Sequence, residues 1–192
     1  MPWFELKKSY QSVHQSFTIG HRVRYIYLLR HAHAVAGDAS MSDAMRPLSS
    51  RGIAECDALA RWVSAHSTSP QVILCSNAQR TRQTLAQLFA VTGLPVTPDY
   101  LAKLYLASTE DIISLLQGLP EDVTHVLVVG HNPGLHGVAM TLAQSSITSD
   151  AQRLELGLVT AGLVGLRTSL PWEHVQPECA ELLFYRSEAE SS

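Results

Sequence analysis

Long apolar runs, paired cysteines and an excess of basic residues are all missing from this sequence. No segment approaches the roughly 18 uninterrupted apolar residues of a membrane-spanning helix. The opening stretch MPWFELKKSYQSVHQSFTIGHR has no continuous apolar core of the kind that leads a secreted chain. The three cysteines, Cys56, Cys75 and Cys179, are odd in number and far apart, with no C-x-x-C pair. That leaves no signature of a disulfide scaffold, a zinc ribbon or a dithiol redox motif, and the thiols read as ordinary ones in a reducing cytosol. Charged residues make up 16% of the chain and the formal net charge is −3, so no broad positive field invites nucleic acid or an anionic membrane. The expectation is a cytoplasmic protein with neither nucleic acid nor membrane as partner, in which any anion site is local.

What is present is a chain of 192 residues, 46% hydrophobic, enough for one domain with a sizeable core. Residues 1–22 show no clean periodicity and read as an N-terminal extension, 23–187 as the domain, and 188–192 as a polar tail. Three apolar runs recur: YIYLL at 25–29, QVILCS at 71–76 and HVLVVG at 125–130. None alternates with polar residues, as expected of parallel strands covered on both faces. Between them lie helical patterns. Residues 49–66 set Ile53, Leu59, Trp62 and Val63 on one face behind a Ser49 or Ser50 cap. Residues 77–93 do the same with Leu85, Leu88 and Phe89, ending on Gly93. Residues 108–120 offer a Ser108 or Thr109 cap and an acidic first turn. A further helix follows Gly134, and 158–168 and 179–186 read as later strands. Strand and helix in alternation predict an α/β three-layer sandwich around a mostly parallel sheet.

In such sheets ligands bind where the strands end at their carboxyl edge. The first run is followed at once by Arg30 and His31, the second by the segment carrying Arg80, and the third by His131. Three separate segments thus bring cations or imidazoles to one edge. A lone histidine after a strand is usually a hydrogen-bonded loop residue, and His14, His21, His66, His125, His136 and His174 are read that way. Convergence sets the other four apart. Guanidinium groups grip phosphate oxygens in pairs and stay charged, so Arg30 and Arg80 would form an anion clamp. An imidazole kept neutral between them is a nucleophile toward phosphorus, and a second imidazole can stabilise the group in transfer.

At these residues the sequence resembles the histidine phosphatase superfamily, with its phosphoglycerate mutase-like fold. LLRHAHA is similar to the family's Arg-His motif, with Ala32 where glycine is usual, and CSNAQRTRQTL to the segment of the second phosphate-binding arginine, with Asn77 in place of proline. VLVVGHNPGL is similar to the segment of the second histidine, and RPLSSRG to the stretch leading into the first helix. The resemblance implies that His31 accepts the phosphoryl group, that Arg30, Arg80 and His131 complete the pocket, and that no metal or other cofactor takes part. His33 and Asn132, next to these positions, are further candidates for contact with substrate. Within the family the chain looks most like the small bacterial phosphohistidine phosphatases that act on phosphorelay proteins. The implied partner is a phosphorylated protein, or alternatively a small phosphorylated metabolite; the oligomeric state is not readable. Where mutase-type relatives carry a glutamate as general acid, this chain has Lys103, Leu104 and Tyr105, with Glu110 in a helix cap.

Other classes make different demands. A metal hydrolase could use His31-x-His33 with Asp38, Asp43 or His131. A cysteine phosphatase needs five residues between Cys and Arg, whereas Cys75 precedes Arg80 by four intervening residues and Arg82 by six. A non-catalytic phosphate-binding module on the same fold is the third alternative. His33 is open between protonating a leaving group, contacting an incoming phosphoprotein and lining the loop.

Overall fold

The computed structural model describes residues 22–187 apart from residues 38, 67, 68 and 94. Nearly all of the expected N-terminal extension, the tail 188–192, His14, His21 and Asp38 therefore lie outside the described residues. The elements run β1 (Arg24–Arg30), α1 (Ser50–His66), β2 (Val72–Ser76), α2 (Gln79–Thr92), β3 (Asp99–Leu101), α3 (Thr109–Gln117), β4 (His125–Gly130), α4 (Gly134–Leu142), α5 (Ser149–Glu155), β5 (Leu163–Thr168) and β6 (Glu181–Arg186). They build one six-stranded sheet in the order β3-β2-β4-β1-β5-β6. The pairs β3-β2, β2-β4 and β4-β1 are parallel, whereas β5 runs antiparallel to both of its neighbours.

The unalternated strands are apolar because both faces of the sheet are covered. Ile26, Leu28, Val126 and Val128 point into one core with Ile112, Leu116, Leu135 and Trp172, under α3 and α4. Their neighbours Tyr27, Leu29, Leu127 and Val129 point into the opposite core with Leu59, Val63, Leu85 and Leu88, under α1 and α2. This is the three-layer α/β sandwich. Each such buried aliphatic side chain contributes about 1.5–3 kcal/mol, so truncating Leu28 or Val128 to alanine would open a cavity in the middle of the sheet.

The helix ends are set by caps. Ser49 Oγ accepts the Gly52 N–H at 3.1 Å to start α1, and Ser108 with Asp111 forms a reciprocal capping box at α3. Gly93 closes α2 with φ 62°, a conformation glycine adopts without a side-chain penalty.

Two expectations need correction. Ile53 does not face the core but is 44% exposed; α1 instead buries Gly52, Glu55, Cys56, Leu59, Ala60 and Val63. The first turn is pressed against the loop leaving β1, so closely that a Cβ at Gly52 would lie 2.0 Å from the carbonyl oxygen of His33, and only glycine fits there. The strand expected over 158–168 begins only at Leu163. Residues 158–162 form a turn, with Ala161 at φ 53°, that brings the chain to β5 beside β1. The short β3 and α5 were not anticipated.

Candidate active site

Sheet register places the site. Arg30 of β1 lies opposite Gly130 of β4, and Cys75 of β2 opposite Val129, so the residues just beyond these strands emerge level with one another. The His31 N–H donates to the Gly130 carbonyl at 3.1 Å, extending the β1–β4 ladder by one step. His31 and His131 consequently face each other with ring centroids 5.1 Å apart. Arg80 enters from the first turn of α2, directly after β2. Arg30, His31, Arg80 and His131, named from three separate segments, form one cluster.

His31 Nδ1 is 2.8 Å from the Ala32 carbonyl and Nε2 is 3.2 Å from Arg80 Nε. A carbonyl only accepts and the arginine N–H only donates, so the neutral ring carries its proton on Nδ1 and its lone pair on Nε2. Burial lowers the His31 pKa to about 4, helped by Arg80, Arg30 and Arg46 and opposed by the Ala32 hydrogen bond. Thr84 secures this loop: its hydroxyl accepts the Ala32 N–H at 3.0 Å and donates to the Arg80 carbonyl at 2.7 Å.

His131 is buried beside Ser76, with Nε2 2.8 Å from the hydroxyl oxygen. Burial, then the neighbouring His31 and Arg80, lower its pKa to about 3. Ser76 Oγ also receives the Ala78 N–H at 3.4 Å; in the tautomer in which its own O–H donates to Nε2, the ring proton of His131 lies on Nδ1. Tyr105, in the loop after β3, stands edge-on to the His131 ring with centroids 5.5 Å apart.

Arg80 is buried and held at all three of its nitrogens. Besides reaching His31, its Nη1 donates to the Asp43 carbonyl at 2.6 Å and its Nη2 to Asp43 Oδ2 at 2.9 Å. Arg30 donates through Nη1 to the Leu158 carbonyl at 2.9 Å, an oxygen that also accepts Asn132 Nδ2 at 2.8 Å. The turn that replaced the start of the expected strand is therefore the support of Arg30. Among the described residues, Arg30 Nε, His131 Nδ1 and Asn132 Oδ1 are buried without a partner. Such orphans are uncommon and collect where a ligand completes the bonding.

His33 is held by partners outside these four residues. Its Nδ1 is 2.8 Å from Ser49 Oγ and its N–H donates to buried Glu55 at 2.7 Å. Glu55 also accepts from Thr160 at 2.9 Å and Arg51 at 2.9 Å, tying the loop after β1 to the turn before β5. Ser76, Thr84, Glu55 and the Leu158 carbonyl escaped the reading of the sequence. Only Ser76 carried a signal, as the last residue of a strand at the binding edge.

Among the described residues no three His, Cys, Asp or Glu side chains are grouped to hold a metal ion, and no helix is long and apolar enough to cross a membrane. The Cys75 thiol is buried and its pKa is pushed up to about 12, chiefly by desolvation, which keeps it protonated and unsuited to attack.

The chain matches the family model of the histidine phosphatase superfamily (branch 1) over residues 26–101. An uncharacterized protein of Mycobacterium tuberculosis is 36% identical over 157 residues, spanning 81% of this chain and 96% of that protein. Phosphohistidine phosphatase SixA of Escherichia coli is 31% identical over 110 residues, 56% of this chain and 67% of SixA. Among solved structures, a presumed phosphohistidine phosphatase SixA from Nakamurella multipartitia superposes with TM-score 0.74 at 28% identity, over 86% of this chain and 96% of that one. Its sheet, its paired arginines and histidines and these relatives agree: the chain belongs to the histidine phosphatase superfamily and is a phosphatase.

Proposed function

We propose that this phosphatase works without a metal, carries its phosphoryl group on His31, and removes phosphate from a phosphohistidine side chain of a phosphorelay protein. The observation that carries the reading is the orientation of His31, whose Nδ1 is committed to the Ala32 carbonyl while the Nε2 lone pair faces Arg80. In the first step Nε2 bonds to phosphorus as the bond from phosphorus to the leaving group breaks and its electron pair departs with that group. In the second, water attacks phosphorus and the P–Nε2 bond breaks, returning neutral His31 and inorganic phosphate. Arg30 Nε and His131 Nδ1 are buried donors without a partner, suited to bind the phosphoryl oxygens. Asn132 acts through Leu158 to hold Arg30, and His33 holds the loop through Ser49.

Two observations favour phosphohistidine over a sugar phosphate. The relatives named SixA are called phosphohistidine phosphatases. The carboxylate beside the cluster is Asp43, whose pKa lies well below the usual carboxylate range because Tyr105, Arg46 and Arg80 all donate to it. It cannot give a proton to an alkoxide, and a positioned acid contributes about 10²- to 10⁴-fold for such leaving groups. The test is a panel of phosphohistidine protein, sugar phosphates and an aryl phosphate, run with and without chelator on wild type and His31→Ala. Faster turnover of sugar phosphates than of phosphohistidine protein, or loss of activity in chelator, would sink the reading.

A further inference from the structure

Asp43 has no role in the chemistry above, yet it lies one guanidinium group away from the nucleophile. It opens a short 3₁₀ turn, Asp43–Met45, in the loop after β1. Its Oδ2 accepts from Arg80 Nη2 at 2.9 Å and from the Tyr105 hydroxyl at 2.5 Å, and its Oδ1 from Arg46 Nη1 at 2.7 Å. Even so, the side chain remains 46% exposed. Two carboxylate oxygens offer about four acceptor sites, and three donors leave room for one more from the solvent side.

We propose that Asp43 determines the leaving group, its carboxylate receiving the free ring N–H of a phosphorylated imidazole. This rests on the reading of the preceding section. The P–N bond of a phosphoimidazole breaks readily when the ring's other nitrogen carries a proton, because the ring then leaves as neutral imidazole. Without that proton it must leave as an imidazolide anion. The proton comes from solvent before reaction; what the protein supplies is a fixed negative charge that holds it there. As His31 Nε2 bonds to phosphorus, the P–N pair of the substrate collapses onto its ring nitrogen, and the distal N–H stays in place against Asp43.

The surroundings suit such a charge and no other role in proton transfer. Arg46, Arg80 and Tyr105 face the carboxylate directly, and His31 and His131 lie beyond Arg80, both neutral near pH 7. Asp43 stays ionised throughout and can stabilise a cation but cannot act as an acid. An aryl phosphate needs neither service, since its phenolate leaves unaided.

The test compares kcat/KM for phosphoimidazole and for 4-nitrophenyl phosphate in wild type, Asp43→Asn, Asp43→Glu and Tyr105→Phe. Any effect of Asp43 on Arg80 acts on both substrates and cancels in the ratio of the two. A neighbouring opposite charge moves a pKa by about 1–3 units, so Asp43→Asn lowers the phosphoimidazole-to-aryl ratio about tenfold or more and moves the phosphoimidazole optimum toward acid by about one pH unit. Asp43→Glu and Tyr105→Phe, which keep the charge, keep the ratio near the wild-type value. An equal loss of both activities in Asp43→Asn, complete loss included, would show that Asp43 only braces Arg80 and would overturn the proposal. Wild-type protein that splits the aryl phosphate but not phosphoimidazole would instead overturn the substrate reading on which it rests.

Discussion

Arg80 Nε donates to His31 Nε2 across 3.2 Å, so the nitrogen proposed to attack phosphorus is covered by the guanidinium proposed to bind phosphate. A phosphoryl oxygen that takes this N–H uncovers the lone pair in the same movement, which couples substrate binding to exposure of the nucleophile. The planar fork matters here, because Nη1 and Nη2 are both anchored on Asp43 while Nε points at the ring. Lysine would keep the charge and lose the fork. Arg80→Lys is expected to lower kcat/KM for an aryl phosphate by about 10²- to 10³-fold, the range for losing one oriented donor in an anion site. Activity near the wild-type level would show that charge alone suffices.

Ser76 tests the second histidine. Replacing it with alanine removes the hydroxyl at His131 Nε2 and frees that ring to take the other tautomer. Leaving a buried polar atom unpaired costs about 1–3 kcal/mol, measurable by urea denaturation. The Ser76→Ala enzyme is expected to lose kcat with little change in KM. A change in KM alone would mean that His131 binds the ground state and transition state equally.

Thr84→Val preserves shape and removes the acceptor of the buried Ala32 N–H. The expected loss of stability is again about 1–3 kcal/mol. Because the Ala32 carbonyl sets the His31 ring, kcat should fall in the folded protein as well. Full activity with reduced stability would separate the loop's packing from the ring's orientation.

Acid should unfold this protein through its two neutral imidazoles. His31 and His131 are lowered to about 4 and about 3 from an ordinary value of 6.5. Between those values the unfolded chain binds protons that the folded chain refuses, so stability rises with pH. The contribution is fully present above about pH 6.5 and declines as pH falls toward 4, by about 1.4 kcal/mol per pH unit for each histidine. Urea denaturation at pH 7.5, 5.5 and 4.5 measures the slope, and His131→Asn should flatten it by about one proton's worth. An unchanged slope would mean that His131 titrates normally in the fold.

That Arg30, His31, Arg80 and His131 come together was legible in the sequence, because each lies at or soon after the end of an apolar run and a parallel sheet aligns the ends of such runs. The supporting shell was not. Glu55 sits in mid-helix like any surface glutamate, and only the approach of the His33 N–H and Thr160 gives it buried partners. The Leu158 carbonyl carries no side-chain signal at all, and residues 158–162 looked like strand because their composition is apolar. Asp43 and Tyr105 are 62 residues apart, and their contact exists only once β3 is placed beside β2. Local pattern reveals what the sheet presents, whereas side-chain and backbone partners from distant loops emerge from packing.

Everything proposed for this site depends on His31 carrying the phosphoryl group. The direct measurement is to quench the enzyme with ³²P-labelled substrate during turnover and map the label. An acid-labile, base-stable phosphohistidine is expected at residue 31, absent from His31→Ala and present in His33→Ala. Label on another residue, or undiminished labelling of His31→Ala, would contradict it.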